Sequence, residues 1–239
     1  MPATDPLVPA VTAWYAGHRR DLPWRGPQVG PWQVLVSEVM LAQTPVSRVV
    51  PVYERWVARW PAPADLAAAS VADALREWGR LGYPRRALRL HAAAQRCVDS
   101  FAGRVPAGYD ELRSLPGVGD YTAAAVLAFG YGRRAVVLDT NVRRVLARVL
   151  RARDRPGPSI TVAERSAAEA VLPADDAAAA TWSVAAMELG ALVCTAANPA
   201  CEACPIAGRC GWLAAGRPVQ PGPARPAQRY AGTDRQVRG

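Results

Sequence analysis

The chain contains no lysine. All 29 of its basic side chains are arginine, set against 20 acids for a formal charge of +9. No side-chain amine is therefore present to form a Schiff base with an opened sugar or any other carbonyl. The two histidines, His18 and His91, have no metal-ligand spacing between them, which argues against a histidine acid, base or metal site. No apolar run approaches the length of a membrane span, and the N-terminus, with Pro2, Asp5, Pro6 and Pro9, lacks the charged-then-apolar pattern of a leader peptide. A cytoplasmic protein is expected, with no membrane partner.

What is present is an apolar content of 51% over 239 residues, enough for one large core or two modest ones. The arginine excess suits a polyanionic partner, because the guanidinium fork meets phosphate with two bonds. A GC-rich coding sequence would produce the same bias.

The most informative stretch is Leu115 to Asp139, LPGVGDYTAAAVLAFGYGRRAVVLD. In Leu115-Pro116-Gly117-Val118-Gly119 both glycines tolerate dihedrals that a Cβ resists, so the turn can point several backbone N–H groups outward. A helix starting near Asp120 adds its positive end, and a phosphate is the natural ligand. An ordinary interhelical turn would read the same way.

Upstream, helical spacing places Leu7, Val11, Trp14 and Tyr15 on one face over residues 7–17. Leu22-Pro23-Trp24-Arg25 opens a Gly/Pro-rich loop ending at Pro31, in which Trp24 is either a base-contacting lip or a buried anchor. The helix 32–42 carries one acid, Glu38, whose neighbours one turn away are Val34, Leu35, Leu41 and Ala42. A carboxyl on so apolar a face has its pKa raised and can act as a general acid, unless it sits at the edge of the face in water. Pro45 starts a further helix and Ser70 caps another. Tyr83 in Leu81-Gly82-Tyr83 is a surface aromatic able to wedge between bases, or core. Residues 85–101 form a helix with Cys97 as a buried, inert thiol. Asp139-Thr140-Asn141 leads into a helix over 142–151, with Asp139 most simply its cap, and two more helices follow near 159–172 and 176–193.

Cys194, Cys201, Cys204 and Cys210 then form C-x6-C-x2-C-x5-C. Four thiols so close together in a cytosolic protein point to metal, either structural zinc or a [4Fe–4S] cluster. Beyond Ala215 the composition shifts to Gly, Pro, Arg and Gln, reading as a mobile basic tail.

LPGVGDYT followed by VVLDTNVRRVLAR and the cysteine run resembles the endonuclease III superfamily of helix-hairpin-helix DNA glycosylases. SEVMLAQT, LGY and MELGALVCT resemble its adenine DNA glycosylase branch, and the similarity covers roughly residues 10–212. The resemblance implies an all-α fold of two helical domains: residues 1–24 plus 133–212 would hold the [4Fe–4S] cluster on Cys194, Cys201, Cys204 and Cys210, and 25–132 the helix-hairpin-helix, with 213–239 as the basic tail. It implies Glu38 as general acid and Asp139 as second carboxylate, with Tyr121 and Asn141 in support. Gln43, Thr44, Tyr83, Leu115, Gly117, Val118, Gly119 and Arg25 would contact DNA, and Leu22 and Trp24 would line the base pocket. The implied activity is a monomeric, monofunctional glycosylase that flips adenine opposite 8-oxoguanine or guanine out of double-stranded DNA, leaves an abasic site, and works at the nucleoid. A lysine stands where this chain has Tyr121 in lyase-type relatives. Two departures stand out: nothing after Cys210 is long enough for the C-terminal domain that helps such enzymes read 8-oxoguanine, and Ser183-Val184 offers only a hydroxyl where the family often has an amide or acid near Val184. A thymine or uracil mismatch glycosylase and a catalytically silent iron–sulfur DNA-binding module are the alternatives.

Overall fold

The computed structural model, which describes residues 6–220, contains twelve α-helices and no strand among those residues, the longer helices standing where apolar periodicity of the helical kind runs. The twelve are α1 Leu7–His18, α2 Pro31–Leu41, α3 Val46–Arg59, α4 Pro63–Ala68, α5 Val71–Trp78, α6 Arg85–Phe101, α7 Tyr109–Arg113, α8 Asp120–Ala125, α9 Thr140–Arg151, α10 Val162–Val171, α11 Asp176–Leu192 and α12 Gly211–Ala214. The residues cited against a leader peptide, all but Pro6 and Pro9, and the stretch 221–239 of the basic tail lie outside the described residues. Before that stretch the chain folds back: the Trp212 indole donates to Pro218 O, and Arg155 donates to Gln220 O.

The starts of the helices follow local chemistry. Ser70 Oγ accepts from Asp73 N, Thr161 Oγ1 from Glu164 N and Asp175 from Ala178 N, each satisfying a donor with no partner inside the helix. The short helices α4 and α7 escape the periodicity argument. Each is started by a carboxylate reaching back, Asp65 to Ala62 N and Glu111 to Gly108 N.

Two hydrophobic clusters form. The larger draws on residues between Leu22 and Leu127 and is centred on Trp56, which is fully buried and meets Trp60 and Trp78 edge to face at 4.7 and 5.7 Å. Emptying such a site costs about 3–5 kcal/mol. The other packs Leu7, Val8, Val11 and Tyr15 of α1 against α9, α10 and α11. A small group, Ala124, Ala125, Ala128 and Val137, joins the clusters. α8 runs into a π turn, Val126–Gly130, which packs on α2; a Cβ on Gly130 would stand 2.8 Å from Pro31 Cα.

Candidate active site

A cleft of about 890 Å3 opens where these elements meet. Nine of the residues singled out in the sequence line it: Leu22, Trp24, Arg25, Glu38, Gln43, Thr44, Tyr121, Asp139 and Asn141. Leu22 and Trp24 are both buried, and Trp24 packs edge to face on Tyr53, so the indole anchors its loop while presenting part of itself to the cleft.

Glu38 projects from the middle of α2 with 9% of its surface exposed. Burial raises its carboxyl to about 7; the Tyr121 hydroxyl, which donates to it, and the charge of Arg25 work in the opposite direction, while Asp139 adds to the rise. Tyr121, from the first turn of α8, is held in its neutral, donating form well above the ordinary tyrosine range by burial and by the two carboxyls. Asp139 is the α9 cap anticipated from sequence, and its carboxylate also faces Glu38. Its Oδ1 accepts from Val142 N at 2.6 Å and its Oδ2 from Asn141 Nδ2 at 2.6 Å. Burial pushes Asp139 up, and these donors favour its anion. The pair is therefore asymmetric: one carboxyl is nearly bare and inclined to hold its proton, the other cradled in N–H groups.

Four residues that the sequence reading passed over hold this arrangement. Glu188 on α11 is completely buried, and the Arg20 backbone and guanidinium and the Arg25 guanidinium all donate to it, at 2.7–2.9 Å. Burial works against this carboxylate, yet the two arginines hold it near 2. Arg25, expected to reach DNA, is thus turned inward onto Glu188. Gly190 lies against the start of α9: a Cβ there would stand 2.7 Å from Asn141 Cβ and 2.8 Å from Asn141 O. Arg144 donates to Asn141 Oδ1 at 2.8 Å, to Gly190 O and to Cys194 O at 2.7 Å. The MELGALVC segment carries two of these residues, and an acid set among apolar neighbours, Val184, Ala185 and Leu192 about one turn away, was the signal for Glu188, as its apolar neighbours were for Glu38.

The hairpin turn stands apart from the cleft wall. Leu115 and Val118 bury their side chains, so the turn presents outward its backbone at Gly117 and Gly119 and the Pro116 ring. Gly117 has φ +85°, the left-handed region, and its Cβ would meet Arg89 Cβ at 2.8 Å. Gly119, expected to need the same freedom, has φ −94° and open space around it. Gln43 and Tyr83 are exposed on the α2–α3 and α5–α6 turns, Tyr83 at 60%, whereas Thr44 is buried and tied to Arg86.

The four thiols Cys194, Cys201, Cys204 and Cys210 line one cavity enclosed by α9, α11 and α12, with apolar walls from Val145, Leu189, Ile206 and Trp212. Arg148, stacked 4.5 Å over Trp212, donates to Cys194 Sγ at 3.3 Å and to Thr195 O and Ala196 O. A cation beside a thiol set with no competing carboxylate fits a group held by thiolates. Among the described residues, no three His, Cys, Asp or Glu side chains gather around the position of a single ion. None of the helices there is long and apolar enough to cross a membrane.

Residues 36–169 match the family described as HhH-GPD superfamily base excision DNA repair protein. A protein of Mycobacterium tuberculosis (strain ATCC 25618 / H37Rv) named adenine DNA glycosylase is 52% identical over 227 residues, 95% of this chain and 74% of that one. Among solved structures, a thermostable thymine-DNA glycosylase superposes with a TM-score of 0.78 at 25% identity, covering 87% of this chain and 95% of that one. Endonuclease III trapped on DNA as a covalent intermediate superposes at 0.73 and 22% identity, covering 88% and 95%, which speaks to the fold. The chain belongs to the HhH-GPD superfamily of base excision DNA repair proteins and, within it, to the adenine DNA glycosylase family.

Proposed function

We propose that this chain is a monofunctional glycosylase that removes adenine mispaired with 8-oxoguanine or guanine from duplex DNA and leaves an abasic site. The observation that carries the reading is the carboxyl pair: Glu38 raised to about 7, facing an Asp139 anion cradled by Val142 and Asn141. The adenine leaves the stack and enters the cleft. Glu38 gives its proton to a ring nitrogen of the base, the glycosidic bond breaks, and its electron pair departs with the base. The oxocarbenium-like sugar is stabilised or briefly captured by Asp139. Water then adds to the sugar carbon and returns a proton to Glu38.

With Tyr121 at the lyase position and no lysine in the chain, no side-chain amine waits to capture the sugar. The backbone at Gly117 and Gly119 grips a phosphate, and Gln43 and Tyr83 fill or wedge the disturbed stack. Residues 1–24 with 133–212 and residues 25–132 form the two domains; the two hydrophobic clusters favour such a division, although Leu22 and Trp24 pack into the cluster of the second domain. Cys194, Cys201, Cys204 and Cys210 would hold a [4Fe–4S] cluster, one thiolate for each iron, as the four thiols lining one cavity and the resemblance to the endonuclease III superfamily suggest; structural zinc is the alternative. Held by these four thiolates, it would tie the loop 194–210 to the surface formed by Val145, Arg148 and Val149 of α9.

The test is base release from A:8-oxoguanine, A:G, T:G and U:G duplexes by the full chain and by Glu38→Gln. Release from the adenine duplexes, abolished in Glu38→Gln and without matching strand cleavage in the absence of heat or alkali, is the expected result. Release confined to T:G or U:G would favour a second reading, a mismatch glycosylase, which the likeness to the thymine-DNA glycosylase structure and the apolar Val184 in the cleft wall support. A brown protein absorbing broadly in the visible indicates iron–sulfur; a colourless one with stoichiometric zinc refutes it.

A further inference from the structure

Arg86, near the start of α6, has no carboxylate partner among the described ion pairs, although its side chain is largely covered. Its guanidinium is spent on main-chain oxygens of two separate turns. Nη1 donates to Val39 O at 3.0 Å, Met40 O at 2.9 Å and Ala42 O at 2.5 Å, collecting the carbonyls left unpaired where α2 ends. Nη2 donates to Thr44 Oγ1 at 2.9 Å and, on the other turn, to Gly82 O at 3.1 Å and Leu81 O at 3.5 Å. The same group lies 5.2 Å from the Trp78 ring and 5.4 Å from the Tyr83 ring.

Each of these turns carries one exposed side chain on a backbone that L-residues avoid: Gln43 at φ +61° and Tyr83 at φ +48°. Such a conformation costs about 1–2 kcal/mol at a non-glycine residue and persists only where the surroundings enforce it. Common to both turns are the Arg86 fork and one long bond, from Thr44 Oγ1 to Leu81 O at 3.5 Å, whose hydroxyl the fork itself holds. Gln43 also stands in the wall of the cleft that holds Glu38, whose next two residues, Val39 and Met40, are bound by the same guanidinium.

We propose that Arg86 is the positioning residue that sets Gln43 and Tyr83 at a fixed separation and aim, so that the two enter the base stack together. It touches neither DNA nor the reacting atoms, and its planar fork is the feature required: an ammonium carries charge but cannot bridge two turns with paired, coplanar bonds. The inference rests on the glycosylase reading of the cleft, and its test reads base unstacking separately from base release.

The experiment places 2-aminopurine at the target position opposite 8-oxoguanine and follows its fluorescence as the full chain binds. Arg86→Met, Arg86→Lys, the double variant Gln43→Ala/Tyr83→Ala and the corresponding triple variants are compared, with binding measured separately by gel shift. The wild-type chain and Glu38→Gln should both brighten the probe, because unstacking precedes chemistry. Arg86→Met and Arg86→Lys should lose most of the brightening while duplex affinity stays within about threefold, and single-turnover adenine release should fall about 100-fold, equivalent to about 2.7 kcal/mol. In the Gln43→Ala/Tyr83→Ala background, replacing Arg86 should add less than about a threefold further loss. Equal losses in both backgrounds, or full brightening in Arg86→Lys, would overturn the proposal. If Arg86→Met fails to fold, Arg86→Lys with its double-variant cycle decides alone. A wild-type chain that brightens the probe and releases no base would instead refute the glycosylase reading.

Discussion

Replacing Glu38 by Gln should remove activity and at the same time stabilise the protein, by an amount that depends on pH. In the fold Glu38 keeps its proton to about pH 7, chiefly because burial penalises the charged form, against an ordinary value of 4.5. Between those two values the folded state binds more protons than the unfolded chain, so stability declines as pH rises through the interval and levels off above it. With 1.36 kcal/mol per unit, the full penalty at pH 8 is about 3 kcal/mol, while at pH 5 it is below about 1 kcal/mol. Gln carries none of it, fills the same volume and still accepts from Tyr121. Thermal unfolding of the two proteins at one scan rate should show the variant melting about 6–12 °C higher at pH 8, at 2–4 °C per kcal/mol for a chain of this length, and only slightly higher at pH 5. Equal differences at the two pH values would refute the reasoning, because a gain from packing or hydrogen bonding would not titrate. Ionisable groups that do not interact with Glu38 cancel in the comparison.

Removing the Tyr121 hydroxyl should push Glu38 higher still, since that bond favours the carboxylate; in Tyr121→Phe the alkaline fall of kcat/KM should move up by about one pH unit, and a downward move would count against the assignment. In Gly190→Ala the new methyl meets Asn141 backbone that cannot yield; a cost of about 1–3 kcal/mol by chemical denaturation and at least a tenfold slower single-turnover release are expected. Gly119→Ala separates a phosphate grip from an ordinary turn. Its φ of −94° and empty surroundings keep the folding cost under about 1 kcal/mol, yet duplex affinity by gel shift should fall several-fold, and unchanged affinity would mean an ordinary turn.

Helix content was readable because its signals are local. The apolar spacing around Glu38, the Ser70 cap and the Asp139-Thr140-Asn141 start each depend on residues within about one turn, and each helix stands where that chemistry puts it. The short α4 and α7 rest on single reaching carboxylates, which leave no periodicity to find. What could not be read were relations between segments far apart in the chain. Arg20 and Arg25 bind Glu188 across more than 160 residues, and Arg86 serves two turns about 40 residues apart. Gly119 was misjudged for a related reason: glycine suggests an unusual dihedral, whereas here the backbone is ordinary and only open space distinguishes the position.

The π turn at Val126–Gly130 gives the chain between Tyr121 and Asp139 a phase as well as a length. A π turn accommodates an extra residue within a helix. Deleting one residue there would restore the regular ladder, but would swing everything downstream by about 100° about the helix axis. The helix could shorten with its ladder made more regular and still start the non-helical stretch 132–139, which carries Asp139, in a different direction from Glu38. In this protein the angular spacing of the two carboxyls is thus written into an irregularity that a more ideal helix would erase.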